Sequence, residues 1–133
     1  MNYIPSTYSE SSMYGGYTGD NEAAMTDNCW DNGSTVIGTN NGAQWVMADM
    51  GSTHSISRVA LGPISSTFDN WGPSYLNGYK LECSTDNTTW CMLATLSDRY
   101  DEETTYTFVD VTCRYVRVSG TGYIGIGEFY IFE

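Results

Sequence analysis

Hydrophobic and polar residues alternate along several short segments of the chain. Tyr79, Leu81 and Cys83 share one face of the clearest segment, which is the period-two pattern of a half-buried strand. Residues 84–89 are Ser, Thr, Asp and Asn, which favour turns because Asp and Asn tolerate left-handed backbone and bond their own main chain. Trp90 then opens another strand. The run from Gly78 to Trp90 therefore predicts a β-hairpin.

Further strands are expected at intervals after residue 43. They are predicted at residues 44–51, 56–62, 76–84, 90–95, 105–110, 113–120 and 126–132. In the second of these, Ile56 is expected to face the core, and Leu61 is another candidate. Residues 6–43 have little periodicity and predict loops around short strands. Because no window has a helical period with caps, the pattern favours an antiparallel sandwich or barrel.

The chain of 133 residues is long enough for one domain with its own core, and it contains no repeat or linker. We therefore predict a single domain over residues 1–133. Residues 62–75 form the longest irregular stretch in mid-chain. A loop of this length in a compact β domain is often functional, and it carries Phe68, Trp71 and Tyr75.

The charge balance limits the classes of partner. Five basic residues stand against 16 acidic ones, giving a net charge of −11. A surface of this sign repels phosphate, which argues against nucleic acid and against anionic lipid membranes. The first residues have no basic or apolar region typical of a signal peptide. We therefore expect either a cytoplasmic protein or a processed or excised domain of a secreted one.

The four cysteines do not form a zinc pattern. Cys29, Cys83, Cys91 and Cys113 include no C-x-x-C pair. If Leu81 and Trp90 face the core, Cys83 faces inward and Cys91 outward, which disfavours a bridge between them. Four reduced thiols are expected.

Four segments in order resemble the F5/8 type C, or discoidin, domain family, which includes carbohydrate-binding modules of family 32. The opening Ser-Ser and glycine-rich turn, the Gln-Trp strand, the Tyr-Lys hairpin and the Arg-Tyr and Glu-Phe strands carry the resemblance. The first three occupy residues 11–25, 44–51 and 78–90, and the fourth consists of residues 114–118 together with 127–131. The resemblance implies a jelly-roll β-sandwich of about eight antiparallel strands, with ligands on loops at one end. It also implies binding of sugars, lipid head groups or proteins rather than catalysis.

A structural calcium ion is a further implication of the resemblance, since many members hold one. Calcium prefers six to eight oxygen ligands. The family draws them from a loop near the start of the sandwich and from a glutamate of the last strand. Here Asp27, Asn32 and Glu128 would supply side chains, and Cys29 would supply a carbonyl. In the alternative interpretation, Asp27 and Asn28 cap a turn and Glu128 bonds backbone.

A sugar site needs an aromatic face for C–H groups and polar side chains for hydroxyls. The candidate loops contain both types: Trp30, Asp31, Asn32, Phe68, Asp69, Asn70, Trp71 and Tyr123. Family sites often use a His and an Arg beside the aromatic residue. The single histidine, His54, is expected at the other end of the fold, while Arg58 lies on a strand, so no such pair is predicted.

The remaining aromatic and basic residues are assigned to the framework. Trp45 and Trp90 occupy strand positions that the family buries, and we expect both in the core. Arg114 and Arg117 are expected to point outward and pair with carboxylates such as Asp110. With no catalytic constellation in the sequence, we predict a non-enzymatic module that binds a galactose-like or other glycan. The alternative is a protein-interaction module of the same fold.

Overall fold

Seven β-strands form the secondary structure of the part of the chain that the computed structural model describes. That part comprises residues 3–12, 25–26, 35–36, 42–63, 76–97 and 103–133. The strands are β1 (Thr7–Glu10), β2 (Thr35–Val36), β3 (Ala43–Pro63), β4 (Lys80–Ser84), β5 (Cys91–Thr95), β6 (Thr104–Thr121) and β7 (Gly125–Phe132). Within these ranges there is no helix with the length and hydropathy needed to cross a bilayer.

Two long strands, β3 and β6, run through both layers of a sandwich. The first part of β3 pairs with β1 and with the last part of β6, which also pairs with β4. The second part of β3 pairs with the first part of β6 and with β7. The first layer therefore has the order β1-β3-β6-β4-β5, and the second has the order β6-β3-β7-β2. All pairings are antiparallel, and the predicted jelly-roll β-sandwich is confirmed.

Residues 50–53 connect the two halves of β3 without ending the strand. The sequence predicts two strands here, but the structure has one strand with register shifts between Asp49 and His54 and between Ile56 and Arg58. Gly51 has a φ of 80°, a conformation that favours glycine, and its N–H donates to Asp49 Oδ1 at 2.8 Å. A bulge of this kind bends a strand while the ladder continues on either side.

The core lies between the two layers. Its first-layer rows are Val46, Val118 and Leu81, followed by Ala48, Val116 and Cys83. The second layer contributes Ile56, Val59, Leu61, Phe129 and Ile131. Ile56 and Leu61 are buried as expected. Tyr8 links the layers, since its hydroxyl donates to the Phe129 carbonyl at 2.8 Å and the two rings lie 5.5 Å apart.

The predicted hairpin is present between β4 and β5. Asp86 Oδ1 accepts the backbone N–H groups of Thr88 at 2.9 Å and Thr89 at 2.8 Å, and Asn87 has a φ of 60°. Cys83 is buried, Cys91 is exposed, and both are free thiols, as is Cys113. The predicted burial of Cys83 is confirmed, whereas Cys91 is exposed although it is the register partner of Cys83. Cys29 lies outside the described residues.

The prediction that Trp45 and Trp90 are buried is wrong, because both are only partly buried on the outside of the first layer. Alternation explains Trp45, since Gln44, Val46 and Ala48 point inward and the residues between them must point outward. Trp90 precedes β5 and stacks under the Arg117 guanidinium, whose central carbon lies 3.8 Å from the ring centroid.

Candidate functional site

A cleft of about 530 Å³ lies on the outer face of the first layer, where β3 begins and β6 ends. We call it the Trp45 cleft. The lining residues with chemistry for recognition are Trp45, Asn77, Lys80, Glu82, Arg117 and Ser119. They come from β3, from the turn before β4, from β4 itself and from β6, so the cleft depends on the pairing of three strands.

Strand register sets the spacing across this cleft. Ser119 of β6 is paired with Trp45 on one side and with Lys80 on the other. Since neighbouring strands lie about 4.8 Å apart, the Cα atoms of Trp45 and Lys80 are separated by roughly 10 Å, with Ser119 between them. The next outward row contains Met47, Arg117 and Glu82. The two rows lie on the same face because their residues are two apart along each strand.

Glu82 and Arg117 form a fixed polar floor. Arg117 Nε donates to Glu82 Oε1 at 3.0 Å, and the Ser119 hydroxyl donates to the same oxygen. The side chains of Arg117 and Glu82 are only 24% and 13% exposed. With Trp90 packed against the guanidinium, both charges are held in place and neutralise each other.

Lys80 differs from the other basic residues of the described chain. It is exposed, and its side chain has no hydrogen bond or ion pair within the described ranges. By contrast, Arg114 and Arg117 are paired with carboxylates, and Arg58 lies over the Phe132 ring. The Trp45 cleft therefore combines an aromatic ring, a neutralised floor and an ammonium group.

The turn after β6 is joined to the cleft through Tyr79. The Tyr79 ring lies against Gly120, where any larger residue would collide with it, and its hydroxyl donates to the Tyr123 carbonyl. Burial raises the pKa of the Tyr79 hydroxyl, which keeps it a donor at neutral pH. Tyr79 and Gly120 both line the cleft, so Tyr123 lies at the same end of the sandwich.

The sequence of this chain matches a protein-family model. The model of the NedA-like, galactose-binding domain, of F5/8 type C, matches residues 18–118. The chain belongs to this family. The resemblance inferred from the four sequence segments is thus confirmed. No curated protein sequence matches this chain.

Solved structures similar to this NedA-like domain include several carbohydrate-binding modules. A Clostridium perfringens module, CpGH89CBM32-5, in complex with GalNAc-β-1,3-galactose, has a TM-score of 0.74 at 13% identity, covering 99% of this chain and 100% of that one. The family 32 module of C. perfringens NanJ, in complex with galactose, has a TM-score of 0.74 at 19% identity, with 98% of each chain covered. Chitosan-binding module 1 from a Paenibacillus chitosanase/glucanase has a TM-score of 0.70 at 23% identity, covering 98% and 97%. At these identities the likeness establishes a shared fold.

Most of the predicted ligand residues lie outside the described ranges of this NedA-like domain. This applies to Trp30, Asp31, Asn32, Phe68, Asp69, Asn70 and Trp71, and also to the predicted calcium ligands Asp27 and Cys29. Of the described candidates, Tyr123 is partly buried beside the Trp45 cleft. Glu128 is 1% exposed in β7, opposite Gly62 of β3 and away from the cleft residues. These site assignments remain predictions.

The predicted outward pairing of the two arginines is present with other partners. Arg114 donates to both oxygens of Asp49, at 2.8 Å from Nε and 3.1 Å from Nη2. Arg117 pairs with Glu82, whereas Asp110 is exposed in β6. Cross-strand register explains the difference. Arg117 is the register partner of Glu82, and Arg114 is next to Tyr115, which is the register partner of Asp49.

His54 and Arg58 are brought together in a second cleft of about 350 Å³, although the sequence predicts no such pair. The Arg58 guanidinium lies 4.3 Å from the centroid of Phe132, and His54 Nδ1 lies 3.4 Å from Glu133 Oε1. This cleft is formed by β3, β7 and the segment before β1. His54 and Arg58 are four residues apart in β3, with a register shift between Ile56 and Arg58, and both line this cleft.

Proposed function

We propose that this domain is a non-catalytic module that binds carbohydrate at the Trp45 cleft. The partly exposed Trp45 ring beside a row of fixed polar groups is the observation that carries the proposal. An indole face suits the C–H face of a sugar ring, and hydroxyl, amide and charged groups suit its hydroxyls. Ser119, Asn77 and Lys80 provide those groups within reach of one ring.

The solved relatives support this proposal. Two of them are in complex with GalNAc-β-1,3-galactose and with galactose, and a third is a chitosan-binding module. The last of these derives from a chitosanase/glucanase, which is a precedent for such a fold as one part of an enzyme. We extend carbohydrate binding from these proteins to this chain, with a galactose-like sugar as the first candidate ligand.

The chemistry of the cleft favours binding over hydrolysis. Glycoside hydrolysis commonly needs two carboxyl groups on opposite sides of the scissile bond. Among the described lining residues Glu82 is the one carboxylate, and it accepts hydrogen bonds from Arg117 and Ser119. Because these two hydrogen bonds hold its carboxylate in place, Glu82 is better suited to a structural role than to catalysis.

The predicted loop residues would extend the same cleft. The segment 64–75 leads into Leu76, Asn77 and Gly78, and the last two line the cleft. Trp71 and its neighbours Phe68, Asp69 and Asn70 therefore belong to a segment that ends at the cleft. In this proposal they add contacts to a sugar held by Trp45, as do Trp30, Asp31 and Asn32 on the earlier loop.

The decisive experiment is a glycan array followed by titration of the best ligand into Trp45→Ala. Loss of one stacked aromatic face is expected to weaken binding about tenfold, since aromatic contacts contribute about 0.5–1.5 kcal/mol in addition to the apolar area they bury. Met92→Ala is the matched control, because Met92 is 62% exposed in β5 and lies outside the cleft. Trp71→Ala, measured in parallel, tests the loop extension.

Either of two results would contradict the proposal. A silent array at high protein concentration would remove the carbohydrate function and leave protein interaction as the better hypothesis. Unchanged binding by a folded Trp45→Ala would move the site elsewhere. The exposed large hydrophobic side chains of the described chain are Tyr3 before β1, Met92 in β5 and Val109 in β6, and this separation along the chain does not favour the protein-interaction alternative.

We also propose the structural calcium ion that the sequence predicts, with oxygens from Asp27, Cys29, Asn32 and Glu128. The family resemblance carries this proposal; Glu128 itself is buried in β7 and already has interactions within the fold. The other three ligands lie outside the described ranges, within which no three His, Cys, Asp or Glu side chains are grouped to hold a metal. Calcium would add cross-links between the early loop and β7.

A further inference from the structure

The ammonium group of Lys80 is the one charge in the Trp45 cleft that the described residues leave uncompensated. Glu82 neutralises Arg117, and no side chain of the described ranges pairs with Lys80. Lys80 is also the single lysine of a chain whose net charge is −11. Because Arg117 and Glu82 form an ion pair, the described residues of the cleft carry one unpaired positive charge, that of Lys80.

The position of Lys80 suits contact with a ligand that rests on Trp45. Both residues are register partners of Ser119, so a sugar ring stacked on Trp45 and lying across Ser119 would point towards Lys80. The flexible four-carbon stem of lysine lets its ammonium group move to meet a partner. Lys80 is exposed and its amine is held by no described group, so this movement breaks no described contact.

We propose that the Trp45 cleft selects glycans that carry a carboxylate, such as uronic acid units, and that Lys80 is the specificity-determining residue. This inference rests on the proposed carbohydrate function. A carboxylate would form a charge-assisted hydrogen bond with Lys80, which is stronger than a bond to a neutral hydroxyl. An amino sugar would instead place its ammonium group near Lys80 and be disfavoured.

The net negative charge of the domain limits how many negative charges a bound glycan can carry. A long polyanion would be repelled by the net charge of −11. Beyond about 10 Å at 0.1 M salt this repulsion is largely screened, whereas a direct contact is affected less. The expected ligand is therefore a short acidic oligosaccharide, or an acidic unit within a largely neutral glycan.

The test compares two matched probes, digalacturonic acid and the neutral disaccharide of galactose with the same linkage. Calorimetric titration of the full chain in 0.1 M salt is expected to give at least tenfold tighter binding of the acidic probe. Lys80→Gln should remove most of this difference, by weakening the acidic probe about tenfold and the neutral one much less, because only the acidic probe loses a charge-assisted hydrogen bond. Lys80→Arg should retain most of it. Arg58→Gln, which removes a positive charge in the second cleft, should leave both affinities unchanged.

The outcomes separate this inference from the proposed function. Equal affinity of the wild type for both probes, equal weakening of both by Lys80→Gln, or binding only of neutral array glycans would overturn the acidic preference and leave carbohydrate binding intact. Absence of binding to the probes and to every array glycan would overturn both. A folded Lys80→Gln with unchanged preference would exclude Lys80 as its source.

Discussion

The Asp49 carboxylate accepts two hydrogen bonds from Arg114 and one from the Gly51 N–H. The bonds from Arg114 are the main reason that the pKa of Asp49 lies below its usual range, despite an opposing effect of burial. A carboxyl whose pKa is lowered by folding stabilises the fold above its unfolded pKa, which is about 3.9. That contribution is lost as the pH falls through the lowered folded-state value.

This pair gives a pH prediction. In Arg114→Gln the pKa of Asp49 should rise towards its unfolded value, because the donor of two hydrogen bonds has gone. The variant should be less stable than wild type at pH 7, and the difference should shrink below about pH 4. Carboxyl NMR titration together with urea unfolding measures both effects. An Asp49 pKa that is the same in wild type and variant would contradict the assignment, and Arg58→Gln serves as the control.

Alternation predicts the direction of side chains within a strand, and it places Leu81 and Cys83 together on the buried face of β4. It does not explain Cys91, which is exposed although it is the register partner of Cys83, and the expectation that Cys91 faces outward depends on a buried Trp90. The same parity in Gln44 to Met50 places Trp45 outward, whereas the family resemblance predicts that it is buried. The signal for the Trp45 cleft was therefore present in the sequence as an aromatic residue on a polar face.

At the scale of elements, the bend of β3 depends on Gly51. Its positive φ is a conformation that other residues adopt at a cost of about 1–2 kcal/mol, and nothing lies within 4 Å of the Cβ that a larger residue would carry. A substitution there changes backbone strain without creating a steric clash.

Gly51→Ala should lower the free energy of unfolding by about 1 kcal/mol, measured by urea denaturation. Gly51→Asn should cost less, because Asn tolerates left-handed backbone better than Ala. Ser52→Ala at the neighbouring exposed position should be nearly neutral. Equal losses for Ala and Asn would mean that something other than the φ of residue 51 limits stability.

The whole-molecule scale concerns how the loops are attached to the sandwich. If calcium joins the loop of Asp27 and Asn32 to Glu128, its removal should destabilise the entire fold, because the ion binds the folded state alone. At calcium a hundredfold above its dissociation constant, EGTA should lower the Tm by about 10 °C.

Asp27→Asn should have a lower Tm in calcium and a smaller response to EGTA. Magnesium in place of calcium should not restore the lost stability, since it demands a smaller octahedral site. A wild-type Tm unmoved by EGTA would refute the calcium proposal while leaving the carbohydrate proposal unaffected.

The sequence by itself predicted strand structure over most of the chain after residue 43, although it divided β3 and β6 into two strands each, and it also indicated the hairpin turn and the family. These follow from local chemistry: period-two alternation, Asp and Asn in turns, and motifs in a fixed order. The tertiary structure alone decided that β3 continues through its bend, that Arg114 meets Asp49, and that Trp45, Ser119 and Lys80 lie in one row. Those facts depend on register between strands distant in sequence, which no local pattern specifies.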